Sequence, residues 1–252
     1  MTTPQTFSLK ILQLFCSFLL LNGLAQAQTG ETSPQGAETE PPALTEYLGR
    51  TIAQTMHWSG GSWLIRNKRE REEASTLMRE KLELKPGMVV CDLGCGNGYH
   101  TLPMAQTVAP NGKVYGSDVQ PEMLKMLEDR AKAGGITNIV PVLGLYHDAK
   151  LPKDTFDLIL LVDVYHEFSH PVQMLAGIRD ALKPDGQVVF VEFRSEDDSV
   201  PIKPEHKMTK AQLTTELSAN GFKLTKEFDG LPWQHMMWYG KGENTRNEPS
   251  PK

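Results

Sequence analysis

The chain has 252 residues, of which 39% are hydrophobic and 23% charged, and 31 acidic side chains oppose 26 basic ones. These values are typical of a folded globular protein, and they exclude collagen, coiled-coil and disordered chains. The mild acidic excess offers no positive surface for a phosphate backbone, so nucleic acid is not an expected partner.

The first 27 residues contain one charged side chain, Lys10, and a fourteen-residue apolar stretch from Ile11 to Leu24. This stretch is shorter than the roughly 20 residues that span a membrane. Residues 25–27 read Ala-Gln-Ala, which fits a signal-peptide cleavage site. We therefore predict a signal peptide over 1–27 and an exported protein, periplasmic or secreted, without stable membrane insertion after cleavage. An uncleaved N-terminal membrane anchor is the alternative.

Polar segments flank the rest of the chain. Residues 28–43 have no apolar side chain larger than alanine or proline, and residues 243–252 are similarly polar. We predict a flexible acidic linker over 28–43, a single domain over 44–242 and a polar tail. The domain contains Cys91 and Cys95, which an intervening extended strand would hold too far apart for a disulfide.

Within the domain, short apolar runs alternate with amphipathic stretches, which is the pattern of βαβ units. The alternating charges of 66–83 predict a helix with a solvated face, and Pro121, Pro171 and Thr209 mark the starts of three later helices. The predicted strands are Met88–Leu93, Val114–Asp118, Ile139–Leu143, Phe156–Asp163, Gln187–Phe193, Phe222–Phe228 and Trp233–Tyr239. The expected fold class is α/β, with a doubly wound, Rossmann-like, mainly parallel sheet and a C-terminal antiparallel strand pair.

A glycine-rich turn with the sequence Gly-Cys-Gly-Asn-Gly occupies 94–98, directly after the first of these strands. Alternate glycines let the backbone turn sharply and approach a ligand at the carboxyl edge of the sheet. A dinucleotide fingerprint needs a glycine where Tyr99 stands, and Asp92 would repel a pyrophosphate. The turn therefore disfavours an NAD-dependent oxidoreductase and suits a cationic ligand such as S-adenosylmethionine, which carries an ammonium and a sulfonium.

Val90–Gly98 resembles the first motif of class I S-adenosylmethionine-dependent methyltransferases, and Tyr115–Leu124 resembles the second. Phe156–Asp163 and Leu182–Gly186 match two later landmarks of that family in the same order. The resemblance implies S-adenosylmethionine as the cofactor, with Asp118 accepting both ribose hydroxyls. The cofactor-binding residues expected on this basis are Asp92, Gly94, Cys95, Gly96, Asn97, Gly98, Asp118, Val119, Asp148 and Asp163.

The third strand departs from the family pattern. Family members place an acidic residue directly after the glycine that ends this strand, where it faces the adenine. Here Gly144 is followed by Leu145, and the acid, Asp148, comes three residues later. Two interpretations stay open: Asp148 reaches the adenine through a longer loop, or Leu145 packs against the ring.

The residues after the fourth strand are candidates for catalysis, because the resemblance places the methyl group at this edge. An acceptor with an acidic hydroxyl or carbon needs a base. His166 is the candidate, with Tyr165 or Glu167 in support, and its alternative role is a bond to the backbone at a helix start. No histidine pair has the spacing of metal ligands, so no metal is expected.

The segment 58–63 holds two tryptophans around two glycines, which fits either a lid over the site or indoles packed on the sheet edge. The pattern resembles the quinone-biosynthesis and small-molecule branch of the family, including an exported subgroup with a Trp-Leu-x-Arg stretch, here 63–66. The predicted function is methyl transfer to a small-molecule acceptor. The alternative is a non-catalytic S-adenosylmethionine-binding protein on the same fold, and the sequence does not indicate an oligomeric state.

Overall fold

The computed structural model describes residues 40–242. The predicted signal peptide, most of the predicted linker and the polar tail lie outside these residues. A short hairpin, β1 Glu46–Tyr47 and β2 Arg50–Thr51, precedes the main sheet. The strands of the main sheet are β3 Val89–Leu93, β4 Lys113–Asp118, β5 Ile139–Leu143, β6 Phe156–Val162, β7 Leu182–Phe193, β8 Phe222–Phe228 and β9 Gln234–Lys241.

The seven strands lie in the order β5-β4-β3-β6-β7-β9-β8. Strands β3 to β7 are parallel, whereas β9 pairs antiparallel with both β7 and β8. The predicted α/β class and its C-terminal antiparallel pair are therefore confirmed. The chain order reverses between β3 and β6, and such a switch point leaves a ligand crevice at the carboxyl ends of the strands.

The central strands carry near-continuous apolar runs because both faces of the sheet are covered. In β6, Ile159 belongs to the core on one face and Leu160 to the core on the other, and both are fully buried. Pro141 is tolerated in β5 because this strand pairs only with β4 and forms an edge.

Four helices pack on the sheet: α3 Thr101–Val108, α4 Pro121–Ala133, α5 Pro171–Ala181 and α6 Lys210–Ala219. Pro121 and Pro171 open their helices as predicted. Thr209 caps α6, since its hydroxyl accepts the backbone N–H of Gln212 at 3.0 Å. Among residues 40–242, no helix is long and apolar enough to cross a membrane.

The segment predicted as one helix with a solvated face differs from that expectation. It forms two helices, α1 Arg69–Glu73 and α2 Ser75–Lys81, which meet at Ala74 in the left-handed conformation. Arg69 and Glu73 are 4% and 1% exposed, and they bond each other at 2.7 Å. A second arginine, Arg66, also pairs with Glu73 at 2.6 Å. Alternating charges indicate a solvent-exposed helix face only where the charged side chains do not pair with one another in the interior.

The segment before α1 crosses the loop that follows β6. The buried guanidinium of Arg50 donates to both carboxylate oxygens of Glu216 in α6, at 2.8 and 3.0 Å. Its third bond goes to the backbone carbonyl of His166 at 2.9 Å, and that carbonyl also accepts the N–H of Ala53 at 3.0 Å. Arg50 and Ala53, which precede the main sheet in the chain, thus hold the turn that carries His166.

Candidate active site

A cavity of about 620 Å³ lies at the carboxyl ends of β3, β4 and β6, where the switch point predicts one. Gly94, Asp118 and Asp163, which follow or end these three strands, all line it. Its size is within the range of small-molecule sites, and its wall is mostly apolar with a few polar groups. Among the described residues, the motifs identified from the sequence come together at this cavity.

The glycine-rich turn forms one wall of the cavity. Gly94 and Gly96 have φ angles of +75° and +52°, a region that residues with a side chain rarely adopt. A Cβ at Gly94 would lie 2.5 Å from Val164, and one at Gly96 would lie 2.6 Å from Leu64. Only glycine therefore fits at both positions, and the bare backbone of the turn forms a cradle along this wall of the cavity.

Asp118 lies at the end of β4 and connects the turn to the next helix. One carboxylate oxygen accepts the N–H of Gly96 and the other accepts the N–H of Gln120, each at 2.9 Å. Burial raises the pKa of Asp118, and these backbone bonds oppose that effect. Asp118 and Val119 both line the cavity, so Asp118 faces the cavity while it shapes the turn.

Asp92 lies behind the turn and not among the residues that line the cavity. It is 3% exposed, and its carboxylate accepts the Thr101 hydroxyl at 2.6 Å. Burial raises the pKa of Asp92 to about 6, although the Thr101 bond and the charge of Arg69 act in the opposite direction. Its position indicates support of the turn and not direct contact with a ligand.

Three other residues of the glycine-rich turn also lie on the side that faces away from the cavity. Cys95, Asn97 and Gly98 do not line the cavity, and Asn97 donates from its side chain to the carbonyl of Gly61 at 2.8 Å. Both domain cysteines are free, as predicted, and the structure adds that both are buried. The contribution of these three residues is the conformation of the turn.

The loop after β5 contains both residues that the sequence offers for the adenine end. Leu145 and Tyr146 line the cavity, whereas Asp148 does not. The Asp148 carboxylate pairs with Lys150 at 2.7 Å and accepts that residue's backbone N–H at 2.8 Å. The geometry therefore favours apolar packing by Leu145 over a contact from Asp148.

The segment Trp58–Ile65 forms consecutive 3-10 turns over the glycine-rich turn. Gln120 holds it in place, because its side chain accepts the N–H of Trp58 at 2.7 Å and donates to the Met56 carbonyl at 2.9 Å. Trp63 lines the cavity and is still 41% exposed. This position supports the lid interpretation of the segment.

Asp163 follows β6 with a φ of +54° and lines the cavity. One carboxylate oxygen accepts the side-chain N–H of Gln234 at 2.7 Å. The other is buried and has no partner. Burial, together with the charges of Glu73 and Glu192, holds the pKa of Asp163 well above its usual value. An unpartnered carboxylate in this position suits a cationic group of a ligand.

His166 lies in the 3-10 turn Tyr165–Glu167 and lines the far end of the cavity. Its Nδ1 is 2.6 Å from Glu192 of β7, and its Nε2 is 3.1 Å from Nδ1 of His206. Burial alone lowers the pKa of His166, but the Glu192 carboxylate outweighs burial and the pKa is raised. Glu167 lies 4.0 Å from Nε2, and burial raises its pKa to about 7.

The two supporting residues named from the sequence have different positions. Glu167 lines the cavity, whereas Tyr165 does not. The Tyr165 hydroxyl donates to Glu216 at 2.7 Å, and its ring is fully buried in the core. Tyr165 therefore anchors the turn but does not reach the acceptor space.

His206 was not a candidate from the sequence, although it lines the cavity beside His166. It comes from the 3-10 turn Pro204–His206 in the long loop between β7 and α6. The two histidines are 40 positions apart, so no local spacing could have indicated their contact. His166, Glu167 and His206 offer ligand atoms that all lie within 4.8 Å of one another.

Comparison with known proteins agrees with this geometry. A family model described as a methyltransferase domain matches residues 84–239. A demethylmenaquinone methyltransferase of Geobacillus stearothermophilus is 27% identical over 136 residues, which cover 54% of this chain and 58% of the relative. A ubiquinone/menaquinone biosynthesis C-methyltransferase of Bordetella avium is 31% identical over 115 residues, 45% of this chain and 44% of the relative.

Among solved structures, a SAM-dependent methyltransferase from Aquifex aeolicus superimposes with a TM-score of 0.69 at 22% identity. The match covers 73% of this chain and 98% of that one. At this identity the match shows the fold alone. The chain spans about half the length of the curated relatives it matches.

Proposed function

The chain belongs to the family of S-adenosylmethionine-dependent methyltransferases with the class I fold, and we propose that it transfers a methyl group from S-adenosylmethionine to a small, largely apolar acceptor. The observation that carries this proposal is the cavity, which joins the glycine-rich turn at one end to a histidine and carboxylate cluster at the other. Cofactor and acceptor would thus share one enclosure.

The residues at the cofactor end fit S-adenosylmethionine. The cradle at Gly94 and Gly96 admits a ligand against bare backbone, where a Cβ would collide with neighbours. Asp118 has carboxylate lone pairs for the ribose hydroxyls, and Asp163 has an unpartnered buried oxygen for a cationic group. When bound, the cofactor supplies an electrophilic methyl group on its sulfonium.

The acceptor end is mostly apolar, and its polar groups are the cluster of His166, Glu167 and His206 at its far wall and the ammonium of Lys203. Phe168, Met174, Phe193 and Ile202 line it together with His166 and Glu167. Such a surface favours a ring or chain of low polarity that carries one ionisable group. Both curated relatives described above act on quinone precursors according to their names, which supports a quinone-like or phenolic acceptor.

Methyl transfer from a sulfonium is an in-line displacement, so positioning and exclusion of water supply much of the rate. Trp63 and the rest of the segment Trp58–Ile65 cover the cofactor end. The clamp of Arg50 on the backbone of His166 fixes the acceptor end. We place the activation of the acceptor at His166, because it is the buried polar side chain held by Glu192 at this wall.

Calorimetric titration with S-adenosylmethionine tests the cofactor site. Asp118→Ala removes the charged acceptor of the ribose hydroxyls, and each such bond contributes about 1.5–3 kcal/mol. We expect affinity to fall at least about tenfold. Asp180→Ala, on the exposed face of α5, is the matched control and should bind as the native chain does. Equal binding by both variants would reject the site.

Incubation with labelled cofactor tests the activity. We expect labelled methyl in reduced naphthoquinones, in phenols or in an apolar fraction of a cell-envelope extract. Cofactor binding without transfer to any of these would instead support the non-catalytic alternative. Binding of a nicotinamide dinucleotide in place of S-adenosylmethionine would reject both functions.

We also propose that residues 1–27 direct export, as the apolar stretch between Lys10 and the Ala-Gln-Ala at 25–27 predicts. Fractionation of cells that express the full chain tests this. A periplasmic form that begins at Gln28 supports cleavage, and a membrane-bound form with the intact start supports the anchor. Recovery from the cytoplasm alone would reject export.

A further inference from the structure

His166, Glu167 and His206 form a cluster whose composition is that of a metal site. Two imidazoles and one carboxylate are the protein ligands of many zinc and non-haem iron sites that keep open positions for water or substrate. All three side chains line the cavity. The cluster therefore has both the donor atoms of a metal site and an open side.

The distances suit a single ion. Metal–nitrogen bonds of about 2.1 Å place two neighbouring ligands about 3 Å apart and two opposite ligands about 4.2 Å apart. His166 Nε2 lies 3.1 Å from His206 Nδ1, which is the separation of neighbouring ligands. The 4.0 Å between His166 Nε2 and Glu167 Oε1 falls between the two limits. Small side-chain rotations would bring the three atoms around one centre.

Glu192 gives independent support from behind. Metal-bound histidines commonly donate their second ring N–H to a carboxylate, which fixes the tautomer and aims the free lone pair at the ion. Glu192 is fully buried and bonds Nδ1 of His166 at 2.6 Å. It also accepts the backbone N–H of Tyr165 at 3.0 Å, so the turn and the carboxylate are held together. Nε2 of His166 is thereby directed toward His206 and the cavity.

The charges around the cluster also favour a cation. Glu167 and Glu192 bring two carboxylates to His166, and Arg50, the arginine whose charge acts on His166, is already paired with Glu216. Lys203 is the cation that opposes this effect at His206, and its side chain lies on the exposed loop. Within residues 40–242, no other group of three or more histidine, cysteine or acidic side chains is close enough to share one ion.

We propose that His166, Glu167 and His206 bind one divalent transition-metal ion of the Fe²⁺, Co²⁺, Ni²⁺ or Zn²⁺ type, with its remaining positions open to the acceptor end of the cavity. His166 is then a ligand, because the lone pair that a base would use is bound to the ion. Resting on the proposed function, the open positions would take an acceptor with an oxygen donor, such as a phenol or an enediol. The ion would lower the pKa of that oxygen.

Titration of the full, untagged chain with Co²⁺ alone tests the metal site, because bound Co²⁺ gives visible absorption bands that report its ligands. We expect one equivalent to bind. Glu192→Gln removes the charge of the orienting carboxylate but keeps an oxygen for the Tyr165 N–H, and it should weaken binding about 10–100-fold. His206→Ala and Glu167→Gln remove ligands and should weaken it more. His147→Ala, a histidine outside the cluster, is the control and should bind Co²⁺ as the native chain does.

Binding of S-adenosylmethionine by each variant, measured in the same preparation, separates the two proposals. Retained cofactor affinity shows that the variant is folded and that the loss is confined to the metal. If His206→Ala does not fold, His206→Gln takes its place. No Co²⁺ binding by the native chain, or equal binding by the ligand variants, overturns the assignment and leaves Nε2 of His166 free to act as a base.

Discussion

The buried ion pair between Arg50 and Glu216 permits a quantitative test of how the acceptor end is held. Arg50→Met keeps the length of the apolar stem but removes the guanidinium. The carboxylate of Glu216, which is fully buried, then loses bonds of 2.8 and 3.0 Å. The carbonyl of His166 loses its 2.9 Å bond from the same group.

Removal of one partner from a buried pair leaves an uncompensated charge and costs about 3–5 kcal/mol. Here we expect the lower end, about 3 kcal/mol, because Glu216 keeps bonds from Tyr165 at 2.7 Å and Gln212 at 2.9 Å. Glu216→Gln removes the negative charge but keeps an oxygen for Tyr165. In Arg50→Met/Glu216→Gln neither charge remains, so the double variant should lose less stability than the two single losses combined, by at least about 1 kcal/mol.

Urea denaturation followed by far-ultraviolet circular dichroism measures the free energy of unfolding of the native chain, of the two single variants and of the double variant. Independent sites add within about 0.5 kcal/mol. Additivity within that limit would refute the reasoning, because it would mean that the two charges do not depend on each other. A loss below about 1 kcal/mol for Arg50→Met would show that the carboxylate is hydrated and not buried as described.

Three further predictions concern the cofactor end. The folded pKa of Asp92, about 6, exceeds its unfolded value, so its contribution to stability is present at low pH and is lost as the pH rises through 6. Above pH 7 the free energy of unfolding of Asp92→Asn should therefore exceed that of the native chain by about 2–3 kcal/mol, and near pH 4 it should not exceed it. Urea denaturation across this pH range measures the difference. Gly94→Ala should cost at least about 1–3 kcal/mol and abolish cofactor binding, whereas Gly177→Ala, with nothing within 4 Å of its added Cβ, should add about 0.5–1 kcal/mol. S-adenosylmethionine should change the tryptophan fluorescence through Trp63, and Trp63→Phe should remove most of that change while Trp233→Phe keeps it.

The fold was predictable because its signals are local. Apolar runs such as Phe156–Val162 can be buried on both faces only inside a covered parallel sheet, and Pro121 and Pro171 fix where two helices begin. The turn at 94–98 was equally clear, since glycines at alternate positions have few other uses between a strand and a helix. These features depend on neighbours within a few residues.

The far end of the site was not predictable in the same way. Its geometry depends on contacts between distant segments, as in the approach of His206 to His166. Tyr165 and His166 are adjacent in sequence, yet their turn sends one side chain to the core and the other to the cavity. Arg69 reads as a surface charge until the fold places Glu73 and the cavity beside it. Sequence patterns identify residue types, but tertiary packing decides which way each one faces.

The position of β9 between β7 and β8 has a consequence for biosynthesis. On the ribosome, β7 is made more than 40 residues before the strand that covers its open side, since β7 ends at Phe193 and β9 begins at Gln234. Until β9 emerges, the open N–H and C=O groups of β7 resemble those of a sheet edge, which invite pairing with other chains. A nascent chain stalled before Gln234 should therefore need chaperone protection, and the sheet should close only after β9 has left the ribosome.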